Sequence, residues 1–200
     1  MIYKLRRLLG LILVIVGIGI ISSVIYKKIE TNKRQNELKE VLQDVIREEP
    51  IDGEIDRDTD KNIENLGYVP IGLIEIPSIG LSQGLVEGIT DEILQYYIGH
   101  FENSVKPGEK GNFAVAGHRV SNYSEAFVNL YKVKPGDLVN VKSRGKEFVY
   151  KIEENFIVEP DEIEVLDETE EATITLITCT VGAKQRVILK GSLIDTKDIE

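Results

Sequence analysis

The stretch "TITLITCTVGAKQRVILKG", Thr173 to Gly191, holds the chain's single cysteine, Cys179, with Arg186 seven residues beyond it. A thiolate is a strong nucleophile, and a nearby cation favours the thiolate over the thiol. Taken alone, Cys179 reads equally well as a small hydrophobe in a strand, and Arg186 as a surface cation. Spacing brings the two together. Thr173–Cys179 and Val187–Leu189 are dominated by Thr, Ile and Val, which favour strands. Gly182-Ala183 between them suits a two-residue turn with glycine first, the type II′ pattern. That register sets Cys179 opposite Arg186 on one face of the sheet. It sends Ile174, Leu176, Val187 and Leu189 to the other face, where they can bury.

A cysteine nucleophile also needs an acid/base partner, and the chain has two histidines, His100 and His118. His118 follows "NFAVAG" at a predicted strand end, where a side chain can leave the sheet and reach a cleft. His100 follows Gly99 in the same manner. Either also fits a hydrogen-bonded structural histidine. The order His, Cys, Arg along the chain does not establish contact in space.

The elements that must position these groups are mostly β from Gly67 onward. "VPIGLIEIP" and "LSQGLVEG" are short strands punctuated by Gly and Pro. "TDEILQYYIGH" reads as one or two helical turns, with Thr90 as N-cap and Asp91 and Glu92 in the first turn. "NFAVAGH" is a buried strand, "SEAFVNLYKV" a short helix and "EPDEIEVL" another helical turn. "DLVNVKSRGKEFVYKIEENFIV" alternates on both sides of Arg144-Gly145 and predicts a hairpin. Roughly seven or eight short strands of this kind make a closed barrel or a sandwich, and periodicity alone does not choose between them.

Upstream, Lys4, Arg6 and Arg7 precede an uncharged run from Leu8 to Ile25. A helix of that length rises about 27 Å, close to one hydrocarbon core. The run exceeds a signal-peptide core, and Ser22-Ser23 is a poor match to a small-x-small cleavage site, so it reads as an uncleaved signal anchor. Lys27, Lys28, Lys33 and Arg34 after the span blunt the positive-inside rule; the usual arrangement leaves the short tail in the cytoplasm and the rest outside. Ile29 to Ile46 reads as a polar helix with Leu38, Val41, Leu42 and Val45 at helical spacing, stopped by Pro50. "EEPIDGEIDRDTDKNIEN" is acidic and nearly free of large apolar residues, a solvated spacer. The expected organisation is a tail at 1–7, an anchor at 8–26, a juxtamembrane helix and spacer at 27–66, and a catalytic β domain at 67–200. The spacer further predicts that a chain beginning near Asn62 is soluble, monomeric and active on short peptides.

Charged residues make up 29% and apolar ones 42% of the 200 residues, an ordinary globular balance. A formal net charge of −10 argues against nucleic acid, which requires clustered Lys and Arg. A lone cysteine in an exported domain has no internal disulfide partner and is a candidate free, reactive thiol.

"GNFAVAGHR", "TLITC" and the arginine seven residues later together resemble the sortase family. The pattern T-L-x-T-C is met by Thr175, Leu176, Thr178 and Cys179. "GLIEIPSIGL", "GHFENSVKPGEKGN" and "FVNLYKVKPGDLV" also look like sortase segments, so the likeness runs from about Gly67 to Leu193. The resemblance implies an all-β fold, a closed eight-stranded sortase-type barrel with a few short helices, preceded by a transmembrane helix. It implies a membrane-bound cysteine transpeptidase on the outer face of a Gram-positive cell. By the same resemblance the catalytic residues are Cys179, His118 and Arg186, with Thr178 as a candidate substrate contact and His100 left structural or peripheral. The implied partners are secreted proteins with LPxTG-like sorting signals, and the amine of a peptidoglycan precursor or a pilin. Pilin-polymerising sortases commonly carry a C-terminal membrane segment and a lid with an Asp-Pro-aromatic motif; neither is found in this sequence, which favours single-protein anchoring. The short Cys-to-Arg connection and "EPDEIEVL" look most like class D, with class A or E next. No cofactor is expected: some relatives use calcium, but "EPDEIEVLDETEE" lacks the regular carboxylate spacing of a calcium loop. Two other readings stand beside this one. A membrane-tethered cysteine peptidase would pass the acyl group to water and ignore added amine. A non-catalytic extracellular binding domain would bury Cys179 beyond the reach of alkylating agents.

Overall fold

The computed structural model describes residues 2–47, 67–120 and 126–199. The spacer expected before Gly67 and the start of "SEAFVNLYKV" lie outside those residues. Eight strands close into a barrel: β1 (Pro70–Ile76), β2 (Leu81–Glu87), β3 (Ile98–His100), β4 (Gly111–Ala116), β5 (Leu138–Ser143), β6 (Lys146–Val158), β7 (Ala172–Cys179) and β8 (Arg186–Asp198). Their order around the wall is β1-β2-β3-β4-β7-β8-β6-β5, returning to β1. Most neighbours are antiparallel, but β2 with β3 and β4 with β7 are parallel. Closure leaves no unpaired edge, and it answers the question that strand periodicity left open.

Alternation fills the interior. Ile74, Ile76, Leu85, Phe113, Val115, Val139, Val141, Tyr150, Ile152, Ile174, Leu176 and Leu189 are buried in one core. Phe127 and Leu130 plug it from the connection after β4, where a turn leads into a single 3₁₀ turn, Leu130–Lys132, among the described residues. The β5–β6 hairpin turns at Arg144 and Gly145, both at positive φ, as a two-residue hairpin turn of the I′ kind requires. The helix predicted near Thr90 is α2 (Asp91–Leu94), and the Thr90 hydroxyl accepts the Ile93 N–H at 3.5 Å. "EPDEIEVL" gives the 3₁₀ turn Ile163–Leu166.

The N-terminal region departs from the expected division. The apolar run and the polar helix are one continuous element, α1 (Ile2–Arg47). It contains the one helix among the described residues that is long and apolar enough to cross a membrane. No helix-breaking residue separates Ile25 from Ile29, so the hydrogen-bond ladder carries through Lys27 and Lys28. Its polar half packs against the barrel: Leu38 is fully buried, in a cluster with Val86 and Tyr97 bordered by Tyr68, Ile93 and Tyr96.

Candidate active site

β7 is the central strand of the site, with β4 on one side and β8 on the other. On the β8 side the register holds Cys179 directly opposite Arg186, following Ile177 with Ile188 and Leu176 with Leu189. Opposed residues share a face with Cβ atoms about 4.5–5.5 Å apart. Ile174, Leu176, Val187 and Leu189 are buried, as the alternation predicted.

The turn between them is not the predicted one. The Ala183 N–H donates to the Thr180 carbonyl, so Gly182 is the second central residue of that turn rather than the first. Gly182 has φ 81 and Ala183 φ 57, and both residues are left-handed. Thr180 is the physical reason: its hydroxyl accepts the Gln185 N–H at 3.1 Å, and its own N–H donates to the Gln185 carbonyl at 2.9 Å. The loop therefore closes at Thr180 and Gln185, keeping the Cys179–Arg186 register while widening the turn. Arg186 Nη1 donates to the carbonyls of Ala183 and Gln185 at 3.4 and 3.3 Å, which orients its guanidinium against that loop.

On the other side, β4 runs parallel to β7 in register from Gly111 with Ala172 to Ala116 with Ile177. The zipper continues past the last ladder pair. The Gly117 N–H donates to the Ile177 carbonyl at 3.1 Å, and the Thr178 hydroxyl donates to the Gly117 carbonyl at 2.8 Å. Carried two steps further, this register would set His118 beside Cys179 on the same face. The His118 carbonyl is held in turn by the Phe127 N–H at 3.1 Å. Gly117 lets the Phe127 ring pack close against this strand end, because a Cβ there would stand 2.6 Å from that ring. Cys179, His118 and Arg186 are all half-buried, accessible at one end of the barrel. Among the described residues no hydrogen bond joins the thiol to the imidazole, an arrangement compatible with a site that tightens around substrate.

Thr178, the expected substrate contact, lies next to Cys179 with its side chain on the opposite face of β7. It is 3% exposed, faces the same side as buried Val187, and spends its hydroxyl on Gly117. That hydroxyl ties the strand end leading to His118 to the strand of Cys179. His100 is structural. It is fully buried, with Nδ1 2.7 Å from Glu87 Oε1 and Nε2 2.8 Å from Ser104 Oγ and 3.0 Å from the Val105 carbonyl. Lys106 pairs with the same Glu87. Burial by itself would push the Glu87 carboxyl up, but hydrogen bonds from Lys106 and His100, with their charges, outweigh it and hold the group below the ordinary range. Glu87 and Lys106 border a cavity of about 250 Å³ with Arg144 and Lys146, at the barrel end remote from Cys179.

Sequence reading missed one functional-looking residue, Asn112. It is 3% exposed on the Cys179 face of the sheet. Its Nδ2 donates to the carbonyls of Val165 and Asp167 at 3.1 and 3.2 Å, and its Oδ1 accepts the Thr175 hydroxyl at 2.7 Å. This clamps the segment after β6 to β4, on the sheet face where Ala114 and Ile188 are fully buried. Gln185 Nε2 donates to Glu159 Oε1 at 2.7 Å, tying that segment's start to the loop beside Arg186. Ala116 and Ile177, half-buried, remain as a small apolar floor leading to Cys179. Among the described residues no group of three or more His, Cys, Asp or Glu is arranged to hold a metal ion.

A closed eight-stranded barrel with Cys179 opposite Arg186 at one end is the fold that the resemblance implied, and comparison with known proteins identifies the family. The family model for the sortase domain matches residues 74–194. The chain belongs to the sortase family. It is 28% identical to sortase A of Bacillus anthracis, over 97% of this chain and 97% of that protein. It is 27% identical to sortase D of Bacillus subtilis, over 94% and 98% of the two chains. Its fold is similar to the solved sortase D5 transpeptidase of Clostridium perfringens, with TM-score 0.63 and 34% identity, covering 82% of this chain and 98% of that one. The barrel is a sortase barrel, and the protein is a cysteine transpeptidase.

Proposed function

We propose that this sortase cleaves an LPxTG-like C-terminal sorting signal after its threonine and transfers the freed carboxyl-terminal acyl group to a cell-wall amine, on the outer face of a Gram-positive membrane to which α1 anchors it. The observation that carries the proposal is the position of Cys179, flanked across β7 by the strand end bearing His118 and by Arg186 directly opposite.

The Cys179 thiolate attacks the threonine carbonyl, forming a C–S bond and an oxyanion. Arg186 stays protonated throughout, so it serves as a donor to that oxyanion or to the substrate backbone. As the C–N bond breaks, His118 gives its proton to the departing amine, leaving a thioacyl enzyme. The incoming amine loses a proton to His118, attacks the thioester and expels Cys179 as the thiolate. Thr178 acts at one remove, holding the backbone of Gly117 so that His118 faces the thiol. The likeness to sortases D, together with the short loop from Cys179 to Arg186, supports class D and the anchoring of single proteins.

Mass spectrometry after incubation with LPxTG-like peptides and a panel of amines tests this. Cleavage after threonine, a trapped thioacyl adduct on Cys179 and a product carrying the added amine are expected. Release of free acid alone, unaffected by any amine, would assign a peptidase instead. Near wild-type turnover by Cys179→Ala would remove the nucleophile from the scheme.

A further inference from the structure

We propose that the Tyr68–Tyr96–Tyr97 face of the barrel is a docking surface for the chain's own juxtamembrane helix, and that this contact fixes the height and orientation at which Cys179 meets substrates held in the same membrane. The inference rests on the anchored transpeptidase reading above and adds to it a rigid coupling between anchor and barrel.

The surface is built for a helix. The Tyr68 and Tyr97 rings pack tilted at 53° with centroids 4.6 Å apart, and the Tyr97 hydroxyl donates to that of Tyr68 at 3.0 Å. Tyr96 lies 6.1 Å from Tyr97 by the same measure. Leu38 enters this cluster and is fully buried, whereas Ile29, two and a half turns earlier, is 61% exposed. One turn before Leu38, the Arg34 guanidinium sits 4.6 Å over the Tyr96 ring and is held by Glu30 at 3.3 Å. Arg34 and Leu38 are four residues apart, so one helix face makes both contacts. At the far end of α1 the Gly145 N–H, in the β5–β6 turn, donates to the Ile46 carbonyl and satisfies one of the open helix-end acceptors. Together these contacts grip α1 at Arg34, Leu38 and Ile46.

A gripped helix differs from a tether. Thirteen residues separate Ile25 from Leu38, and at 1.5 Å each the post stands about 20 Å tall. The helix is continuous through that span. α1 packs chiefly on β1, which lies across the barrel from β7 in the strand order. The catalytic strand therefore sits on the wall opposite the post. A free barrel would present Cys179 in every direction, whereas a docked one keeps a single presentation and so a high effective concentration toward a substrate in the same bilayer.

The test uses the full chain in lipid nanodiscs with two peptides of one sorting signal, one soluble and one carrying a lipid anchor in the same disc. Leu38→Asp places a charge among the three rings, and Arg34→Ala removes the cation–π contact. Both are expected to keep wild-type turnover of the soluble peptide. On the anchored peptide, Leu38→Asp should lose roughly tenfold or more, on the scale at which effective concentration acts, and Arg34→Ala should lose less. Hydrogen exchange on the same discs should show residues 34–47 protected in the wild type and released in Leu38→Asp. Equal turnover of the anchored peptide by wild type and Leu38→Asp would overturn the proposal, as would rapid exchange of that segment in the wild type. If the wild type processes neither peptide, the transpeptidase reading fails, and the exchange measurement still decides whether the helix docks.

Discussion

Arg186 and Cys179 face each other because β7 and β8 are antiparallel and in register, yet they do different work. The guanidinium is the planar donor of the pair, already oriented by the carbonyls of Ala183 and Gln185. Lysine keeps the charge but has no fork with which to hold a carbonyl loop and an oxyanion together. Removing one transition-state donor commonly costs about 10²–10³ in turnover. Arg186→Lys is therefore expected to lose a large part of kcat, Arg186→Ala at least as much, and both to remain folded by circular dichroism. His118→Ala should be comparably impaired in steady-state assays. Unchanged kinetics for Arg186→Lys would reduce the residue's contribution to its charge. The facing pair was legible in the sequence, because a strand, a glycine-bearing break and a second strand constrain which residues oppose. The turn type was not, because it depends on the Thr180 side chain closing the loop onto Gln185, a choice that strand propensity does not register. The third member, His118, was legible only through the family resemblance. Its strand end reaches the side of β7 through a parallel pairing of β4 with β7, strands about sixty residues apart with β5 and β6 between them in the chain.

Between elements, two polar ties hold the barrel's parts together, one on the Cys179 face and one at the opposite end, and neither reads out of a local pattern. Asn112 looks in sequence like an ordinary strand polar residue, yet it ties the Ile163–Leu166 turn to the sheet through two carbonyls. Asn112→Ala leaves the carbonyls of Val165 and Asp167 and the Thr175 hydroxyl without their partner, at a cost of about 1–3 kcal/mol. Chemical denaturation should show that loss. Steady-state kinetics should show KM for a sorting-signal peptide rising more than kcat falls, since the chemistry at Cys179 is untouched. Equal effects on both would place Asn112 in the support of the nucleophile rather than of the segment it clamps. The second tie is Glu87, which joins β2 to buried His100 on β3 and to Lys106 in the loop beyond. Its folded carboxyl lies below the ordinary value of 4.5. A depressed carboxylate stabilises the fold in full above its unfolded pKa, and that stabilisation disappears as pH falls through the folded value. The acid limb of thermal stability should therefore steepen below about pH 4.5, and Glu87→Gln should flatten it while lowering stability at neutral pH. An acid limb unchanged by Glu87→Gln would assign acid sensitivity to other carboxylates.

At the scale of the whole molecule, the charge pattern suggested three separable parts, an anchor, a spacer and a barrel, while the structure joins the first to the third. The sequence does show Leu38 at helical spacing with its apolar neighbours, but the rings that receive it stand at 68, 96 and 97, and nothing local announces that meeting. A barrel freed of the helix exposes this aromatic face to water, and the Leu38 side chain forfeits about 1.5–3 kcal/mol of burial. Chains beginning at Lys27 and at Asn62 make the comparison, since both lack the apolar span and only the first keeps the docked helix. The chain beginning at Lys27 is expected to melt several degrees higher, and the chain beginning at Asn62 to associate through its uncovered tyrosines, seen as a rising sedimentation coefficient with concentration. Both should cleave a soluble peptide at similar rates, because the helix touches β1 and β2 and the chemistry sits on β7 and β8. Identical melting temperatures with a monomeric Asn62 chain would make the barrel the complete folding unit and the helix a passive stem.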